Sequence, residues 1–511
     1  MKFDFKEFKN NLLEKKSPDE ILKVAESANL KKTLNAFDLI MLGIGAVIGT
    51  GIFTIIGIAA AGGPESVGAG PALIVSMIIA MLACLFSALC YSEFASMIPV
   101  AGSSYTYTYA TMGEFMAWMI GWVLMLEYAI GNITVASAWS GYFFEFLKGF
   151  SHILPSWLVN PPVYLVNDYR TAVSIYQNSG LDPAVEIPRL FGVIPIAINI
   201  PAIILVLIIT LLLVRGIRES ARTATIMVFI KLAVIFMFIF AGMFYVKPEN
   251  WTPFMPNGFE GVISGAFIIF FAYIGFDAIS TAAEETKNPQ KNLPIGLIGT
   301  LAICTVVYIL TSLVLTGIVP VDKINVMAPI SAAMSATGNN WIAGFISIGA
   351  LAGLTSVLLV YQLGTTRILY AMSRDGFLPK SLQIIHKKYN TPHVITWVSG
   401  IIVVLGALFM DLNVSAELCN FGTFTSFTIV CIAVLILRKT DPDRHRPFKV
   451  PFVPFFPILG ILFCGGLMIY SLFTLGTSAI LFPLWVIIGV IFYFAYCYGN
   501  IRKIKKENSS L

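Results

Sequence analysis

The sequence predicts an all-α integral membrane protein, and three observations carry that prediction. Of 511 residues, 57% are hydrophobic and only 12% charged, with a mean hydropathy of +0.83, whereas soluble domains average about 25% charge. Twelve mostly apolar runs follow one another, each long enough to meet the roughly 20 residues that a bilayer core demands. The cations are segregated: 27 of the 33 Lys and Arg lie in connections on one side and 5 on the other, with Lys231 inside a run. The composition excludes a disordered chain, a disulfide scaffold and an ordinary cytosolic enzyme. Continuous runs exclude alternating barrel strands.

Residues 1–34 are hydrophilic and contain no apolar signal region, so a cytoplasmic segment without a cleaved leader is expected. Ser17-Pro18-Asp19-Glu20 reads as the start of a short surface helix, with Ser17 as N-cap and Glu20 at N3. Spans 1–5 fall near 36–61, 71–98, 113–147, 190–214 and 223–246, a first block over 35–246. Spans 6–10 fall near 259–283, 295–318, 339–366, 393–411 and 415–437, a second block over 259–438. Spans 11 and 12, near 453–475 and 478–500, occupy 451–500, and 501–511 is a tail. The cation-rich side is the cytoplasm by the positive-inside rule. Both termini are therefore placed inside a cell membrane, and the basic clusters serve as topology anchors rather than a nucleic-acid surface. The proline-bearing connection at 149–189 should form an external, partly ordered cap.

Seven cysteines, an odd number without any Cys-x-x-Cys, all lie in apolar runs and read as buried free thiols. The four histidines lie in polar connections, so a haem or metal centre inside the membrane lacks its usual ligands. No cofactor is expected.

Two spans carry weak points. Span 1 contains Gly43, Gly45, Gly49 and Gly51 within Gly43–Phe53, and each costs a helix about 1 kcal/mol relative to alanine. Close helix packing through small residues is one explanation. An unwound segment offering backbone groups to a ligand is the other. A dinucleotide fingerprint does not fit, because the spacing is Gly-x-Gly-x-x-x-Gly and no strand precedes it. Span 6 carries Gly275-Phe276-Asp277 at mid-span. Breaks in lipid are tolerated only where they are buried in protein or line a cavity. Spans 1 and 6 each open a five-helix block, and interruptions at matching positions point to an inverted-repeat transporter with its site near the midplane. Amides at a new helix N-terminus attract an anion, and carbonyls at the new C-terminus attract a cation. A zwitterionic amino acid satisfies both.

Lys231 lies about 13 Å of helix rise into span 5, at an insertion cost of about 2.5–3.5 kcal/mol. Either it snorkels to the surface, or it is a titratable cation contacting broken span 1. Glu127 in span 3 is a buried acid bonding another helix or a proton relay. Asp277 is expected to cap the second half of span 6 and to take part in gating. Glu93 and Glu114, near span ends, are expected at the interface.

The segment Phe270–Pro294, FFAYIGFDAISTAAEETKNPQKNLP, resembles the span-6 signature of the amino acid–polyamine–organocation superfamily. Arg367–Pro379, RILYAMSRDGFLP, resembles its span-8 end, and GIGAVIGTGIF its span 1. Within it, the chain looks most like the bacterial twelve-span form of the cationic amino acid transporter family, over about residues 35–500. The resemblance implies a leucine-transporter-like fold of 5+5 inverted helices plus two, and secondary transport of L-amino acids, with protons as coupling ion. It implies that the substrate carboxylate meets the amides of Gly49, Thr50 and Gly51. The amine would meet carbonyls of Val47, Phe271, Ala272 and Ile274. Lys231 matches a span-5 lysine that stands where sodium-coupled relatives hold sodium, and Glu127 matches a span-3 glutamate near the pocket. Tyr361 falls on the pocket face of span 8. Leu363-Gly364-Thr365-Thr366-Arg367 departs from the Tyr-Gly-Gln-Thr-Arg of many members, and Gly62-Gly63-Pro64-Glu65-Ser66 is an insertion expected to enlarge an external loop.

With no clear carboxylate in the side-chain pocket, and Tyr361 filling space that an arginine chain needs, small or medium neutral amino acids are expected. The alternatives are a cationic amino acid transporter or exchanger on the same fold, and a non-transporting amino acid sensor. No nucleophile–base–orienter set supports an enzyme. Thr355 and Ser356 are candidate sodium ligands, which a cation at Lys231 would oppose.

Overall fold

A computed structural model describes residues 12–19, 21, 32, 34–63, 66–100, 103–191, 194–215, 220–283, 286–389, 391–474 and 476–509. Most of the N-terminal segment, including Glu20, lies outside them, as do Glu284, Glu285 and the last two residues. Ser17 Oγ accepts the Asp19 amide at 3.3 Å.

The helices follow the apolar runs. They are α1 (Ala36–Val47), α2 (Ile56–Ala61), α3 (Leu73–Met97), α4 (Ser103–Met112) and α5 (Glu114–Lys148). Next come α6 (Tyr169–Asn178), α7 (Ile200–Arg215), α8 (Ser220–Gly242), α9 (Gly258–Phe270), α10 (Ala278–Thr281), α11 (Pro289–Ile318) and α12 (Pro329–Ala336). The chain closes with α13 (Asn340–Arg374), α14 (His393–Phe409), α15 (Leu412–Thr440), α16 (Phe455–Thr474), α17 (Thr477–Phe492) and α18 (Tyr498–Ser509). Among the described residues nine helices are long and apolar enough to cross a membrane. The bent pair Ala36–Val47 and Gly51–Ala61, at 45°, makes a tenth candidate. Two shorter apolar helices, α7 and α14, fall in the fourth and ninth runs.

The long helices α5 and α13 lie against each other, with α15 packed on α5. α1 is walled by α8, α11 and α13, while α3 packs on α9 and α11. α16 and α17 are peripheral and expose Ile469, Phe473, Ile480 and Ile491. For a chain in lipid such a face is solvated by acyl chains, so its apolarity is the rule. All seven cysteines are free and buried, as their apolar settings predicted.

Three features differ from the sequence-based expectation. The fourth run becomes helical only at Ile200, because Arg189–Leu190 and Ile194–Pro195 form a small antiparallel pair first. The connection over 149–191 and 194–198, expected as a partly ordered cap, packs around its own small core of Ala172, Tyr176, Ile187 and Ala197, with α6 capped by Asp168. Glu93 and Glu114, expected at the interface, lie near helix ends and are enclosed by protein. Arg438 grips Glu93 through Nε at 2.9 Å and Nη2 at 2.6 Å, and Arg446 Nε lies 3.3 Å away. Tyr493 and Arg502 donate to Glu114 at 2.8 and 3.0 Å. Their partners come from connections and helix ends hundreds of residues away, which local sequence does not display.

Candidate functional site

Both helices with weak points are interrupted. α1 ends at Val47, and Ile48 is extended (φ −76°, ψ 99°) before winding resumes as a wide turn over Gly51–Ile55 and then α2. In the second block, α9 gives way to a tight turn over Phe271–Tyr273. Ile274 is extended, and Gly275 takes φ +108° ahead of the four-residue α10. That angle excludes most side chains, and a Cβ at Gly275 would also stand 3.2 Å from the Ala46 carbonyl oxygen. The two interrupted segments touch: a Cβ on Gly51 would overlap Cα and Cβ of Ala272. Glycine in span 1 thus answers to both explanations, since Gly43 is packed against Thr300 while Ile48 and Gly49 form the break.

Lys231 reaches the first break from α8. It is fully buried, and its Nζ donates to Gly45 O and Ile48 O, each at 2.6 Å. Its stem runs past Gly353, where a Cβ would sit 3.3 Å from Cδ. The ammonium therefore supplies donors to carbonyls that the broken winding leaves short of partners, and charge-assisted bonds of this kind are the strong ones.

Tyr308 of α11, which sequence inspection did not single out, bridges the two breaks. Its hydroxyl lies 3.0 Å from Val47 O and 2.8 Å from Ala272 O, two of the carbonyls expected to meet an amine. A hydroxyl has one proton, and each carbonyl has two lone pairs, so both oxygens keep capacity for a further donor. Phe271 O accepts the Ile274 amide at 3.2 Å. Helical winding restarts at Thr50, so the first-turn amides of Gly49, Thr50 and Gly51 have no acceptor within their own helix. Thr50 Oγ1 is buried and without a partner among the described residues. Val357, one turn before Tyr361 on α13, packs on Gly49.

The remaining candidates form a neighbouring cluster. Asp277 stands at the N-cap position of α10 but makes no side-chain capping bond. Its Oδ2 accepts the Tyr128 hydroxyl at 3.2 Å, and Oδ1 is unpartnered among the described residues. Tyr128 meets Tyr361 edge to face at 5.7 Å, and Tyr361 lies on Gly131 of α5. Glu127 is buried against Gly422 of α15, with Oε2 unpartnered. Thr355 donates to Leu351 O at 2.7 Å and accepts Trp139 Nε1 at 3.1 Å, while Ser356 donates to Gly353 O at 2.7 Å. Both hydroxyl protons are thus engaged within the protein, while Thr355 Oγ1 keeps one lone pair and Ser356 Oγ keeps two.

On the side of the breaks that carries α6, a cavity of about 780 Å³ opens between α6, α15, α2 and the break-side end of α9. Its floor includes Ile55, Ile268 and Asn420, a turn beyond each break. Sequence inspection missed Asn413, Glu417 and Asn420 on its wall. The visible signal was their i, i+4, i+7 spacing in an apolar run, which puts three polar groups on one helix face.

Known proteins match the chain along nearly its full length. The family described as amino acid permease matches residues 34–495. The branched-chain amino acid permease BcaP of Bacillus subtilis (strain 168) is 45% identical over 503 residues, covering 98% of this chain and 100% of its own. The methylthioribose transporter of the same organism is 44% identical over 488 residues, covering 95% and 98%. The vacuolar cationic amino acid transporter 4 of Arabidopsis thaliana is 34% identical over 442 residues, covering 85% of this chain and 68% of its own. Two back-to-back helix breaks inside an apolar bundle and these full-length matches lead to one conclusion: the chain belongs to the amino acid permease family.

Proposed function

We propose that the chain carries small or medium neutral L-amino acids, branched-chain ones included, across a cell membrane by proton-coupled alternating access. The single observation behind it is the apposition of two broken helices at Gly51 and Ala272, with Lys231 Nζ on the carbonyls of the first break. In this scheme the first-turn amides of Gly49, Thr50 and Gly51 take the carboxylate. Carbonyls of Val47, Phe271, Ala272 and Ile274 take the amine, and Tyr361 limits side-chain length. Lys231 and Glu127 exchange the coupling proton, and Asp277 with Tyr128 gates. All twelve apolar runs cross the bilayer as two inverted blocks of five plus two, with both termini cytoplasmic and α6 outside. The 45% identity to a branched-chain amino acid permease supports a branched-chain substrate.

Uptake into proteoliposomes tests this directly. Labelled leucine, alanine and arginine are offered with an inward proton gradient, and with sodium replaced by choline. Leucine or alanine should accumulate only with the proton gradient, whatever the sodium content. Counterflow without accumulation would make the protein an exchanger, arginine uptake alone would refute the neutral substrate, and ligand binding without flux would make it a sensor.

A further inference from the structure

A second cavity, of about 630 Å³, opens where α11 begins, between the first turns of that helix and the segment Pro447–Phe448. Its two ends differ in chemistry. At the start of the helix Gln290 and Lys291 form the mouth, and both are exposed. No carboxylate lines the cavity. Lys291 enters none of the ion pairs that the described residues make, and Glu284 and Glu285 lie outside those residues. Two further exposed cations stand beside it in the chain: Lys287 before the helix starts, and Lys449 next to Phe448. Asn288 gives the helix no side-chain cap, so the first-turn amide of Gln290 adds to the positive character.

Toward the middle of the helix the cavity is apolar, with Ile295 and Ile298 on one wall and Phe448 on the other. Beyond Gly299 the same helix face continues as Ile303, Val306 and Leu310, all exposed. In a membrane that face meets acyl chains. The groove is therefore the lipid-facing surface drawn inward and ended under a cation. Its second wall is fixed from behind. The Val450 amide donates to Glu93 Oε2 at 2.8 Å, and the Phe448 amide to Ser96 Oγ at 3.3 Å. The floor reaches broken helix α1, because a Cβ on Gly299 would stand 3.0 Å from Ile40 Cδ1.

We infer that this groove binds one anionic glycerophospholipid, from the leaflet that bathes the start of α11. Lys291 Nζ takes the phosphate, and an acyl chain lies between Ile295, Ile298 and Phe448. A chain in a bilayer is already out of water, so the walls supply shape and the headgroup charge supplies selection. A zwitterionic lipid has the same phosphate, but its ammonium would face Lys287, Lys291 and Lys449. A soluble phosphate would leave the apolar walls without a partner. Once filled, the groove braces the half of α1 that precedes the break at Ile48. The inference takes from the proposed function only that this leaflet is the cytoplasmic one.

Native mass spectrometry of the purified full-length protein tests it. The protein is stripped of lipid in a neutral detergent and titrated with phosphatidylglycerol, phosphatidylcholine or both. The wild type should keep one phosphatidylglycerol that phosphatidylcholine does not replace. Lys291→Gln should weaken that lipid about ten-fold, as the loss of one charged donor implies, and leave phosphatidylcholine unchanged. Ile295→Trp, at an exposed position outside the core, should fill the groove and weaken it as well. Free glycerol phosphate in excess should not displace the lipid. The site is refuted if the wild type does not prefer phosphatidylglycerol, if glycerol phosphate displaces it, or if either folded variant binds it as tightly as the wild type. Phosphatidylglycerol held by a protein that moves no leucine would overturn the proposed transport and leave the groove standing.

Discussion

Replacing Lys231 with methionine removes the ammonium while keeping the length of the side chain. Two bonds of 2.6 Å, to Gly45 O and Ile48 O, disappear together. Hydrogen bonds to a charged donor contribute about 1.5–3 kcal/mol each, so roughly 3–6 kcal/mol of gross interaction is lost. Relief from burying a charge offsets part of this. No water replaces the donor where Lys231 is fully enclosed, so the two carbonyls are left unmet. A net loss of about 1.5–3 kcal/mol at the break corresponds to leucine binding weaker by roughly 10- to 150-fold. The assay is equilibrium binding of labelled leucine, followed by initial uptake rates across a series of external pH values. Lys231→Met should show weaker binding and a flat pH profile. Affinity within two-fold of wild type, with unchanged pH dependence, would refute both the structural and the proton-carrying roles of this lysine.

Gly51→Ala should abolish most leucine uptake, at least ten-fold, because its methyl must occupy the space of the Ala272 backbone, whereas Gly465→Ala, with nothing within 4 Å, should transport normally. Glu93→Gln should lower stability by about 3–5 kcal/mol, the range for breaking a buried ion pair, read as a fall in melting temperature and yield. Burial raises the Asp411 carboxyl above its ordinary range, so the folded state holds that proton more tightly than the unfolded one. Its contribution to stability is then complete at low pH and lost as pH rises through the carboxylate range. Asp411→Asn, which keeps an N-cap acceptor for the Val414 amide, should flatten that part of the melting-temperature profile.

Much of this architecture is legible in the residues. The apolar runs locate the helices, because a bilayer fixes their length. The two breaks are announced by Gly49–Gly51 and by Gly275–Asp277, since glycine lowers the cost of leaving the helix. Contacts between distant segments were not legible. Tyr308 serves Val47 O from 261 positions away, and Arg438 meets Glu93 from 345 positions away. A tyrosine in an apolar run or a glutamate at a span end has no local feature naming its partner. The late start of α7 was masked by the apolar Ile194–Ile198, although Pro195 and the Asn199-Ile200-Pro201 start, where Asn199 Oδ1 accepts the Ala202 amide at 3.2 Å, mark it. The three polar groups on α15 were readable from their spacing, but the cavity they line is tertiary.

Where Gly51 meets Ala272, nothing larger than a methyl group separates one main chain from the other. Such a crossing cannot be squeezed closer, and the Tyr308 hydroxyl spans it as a latch between the two main chains. Any sliding of one over the other must first exchange that tyrosine's bonds, so the middle of the bundle is furnished with a hinge that carries its own catch.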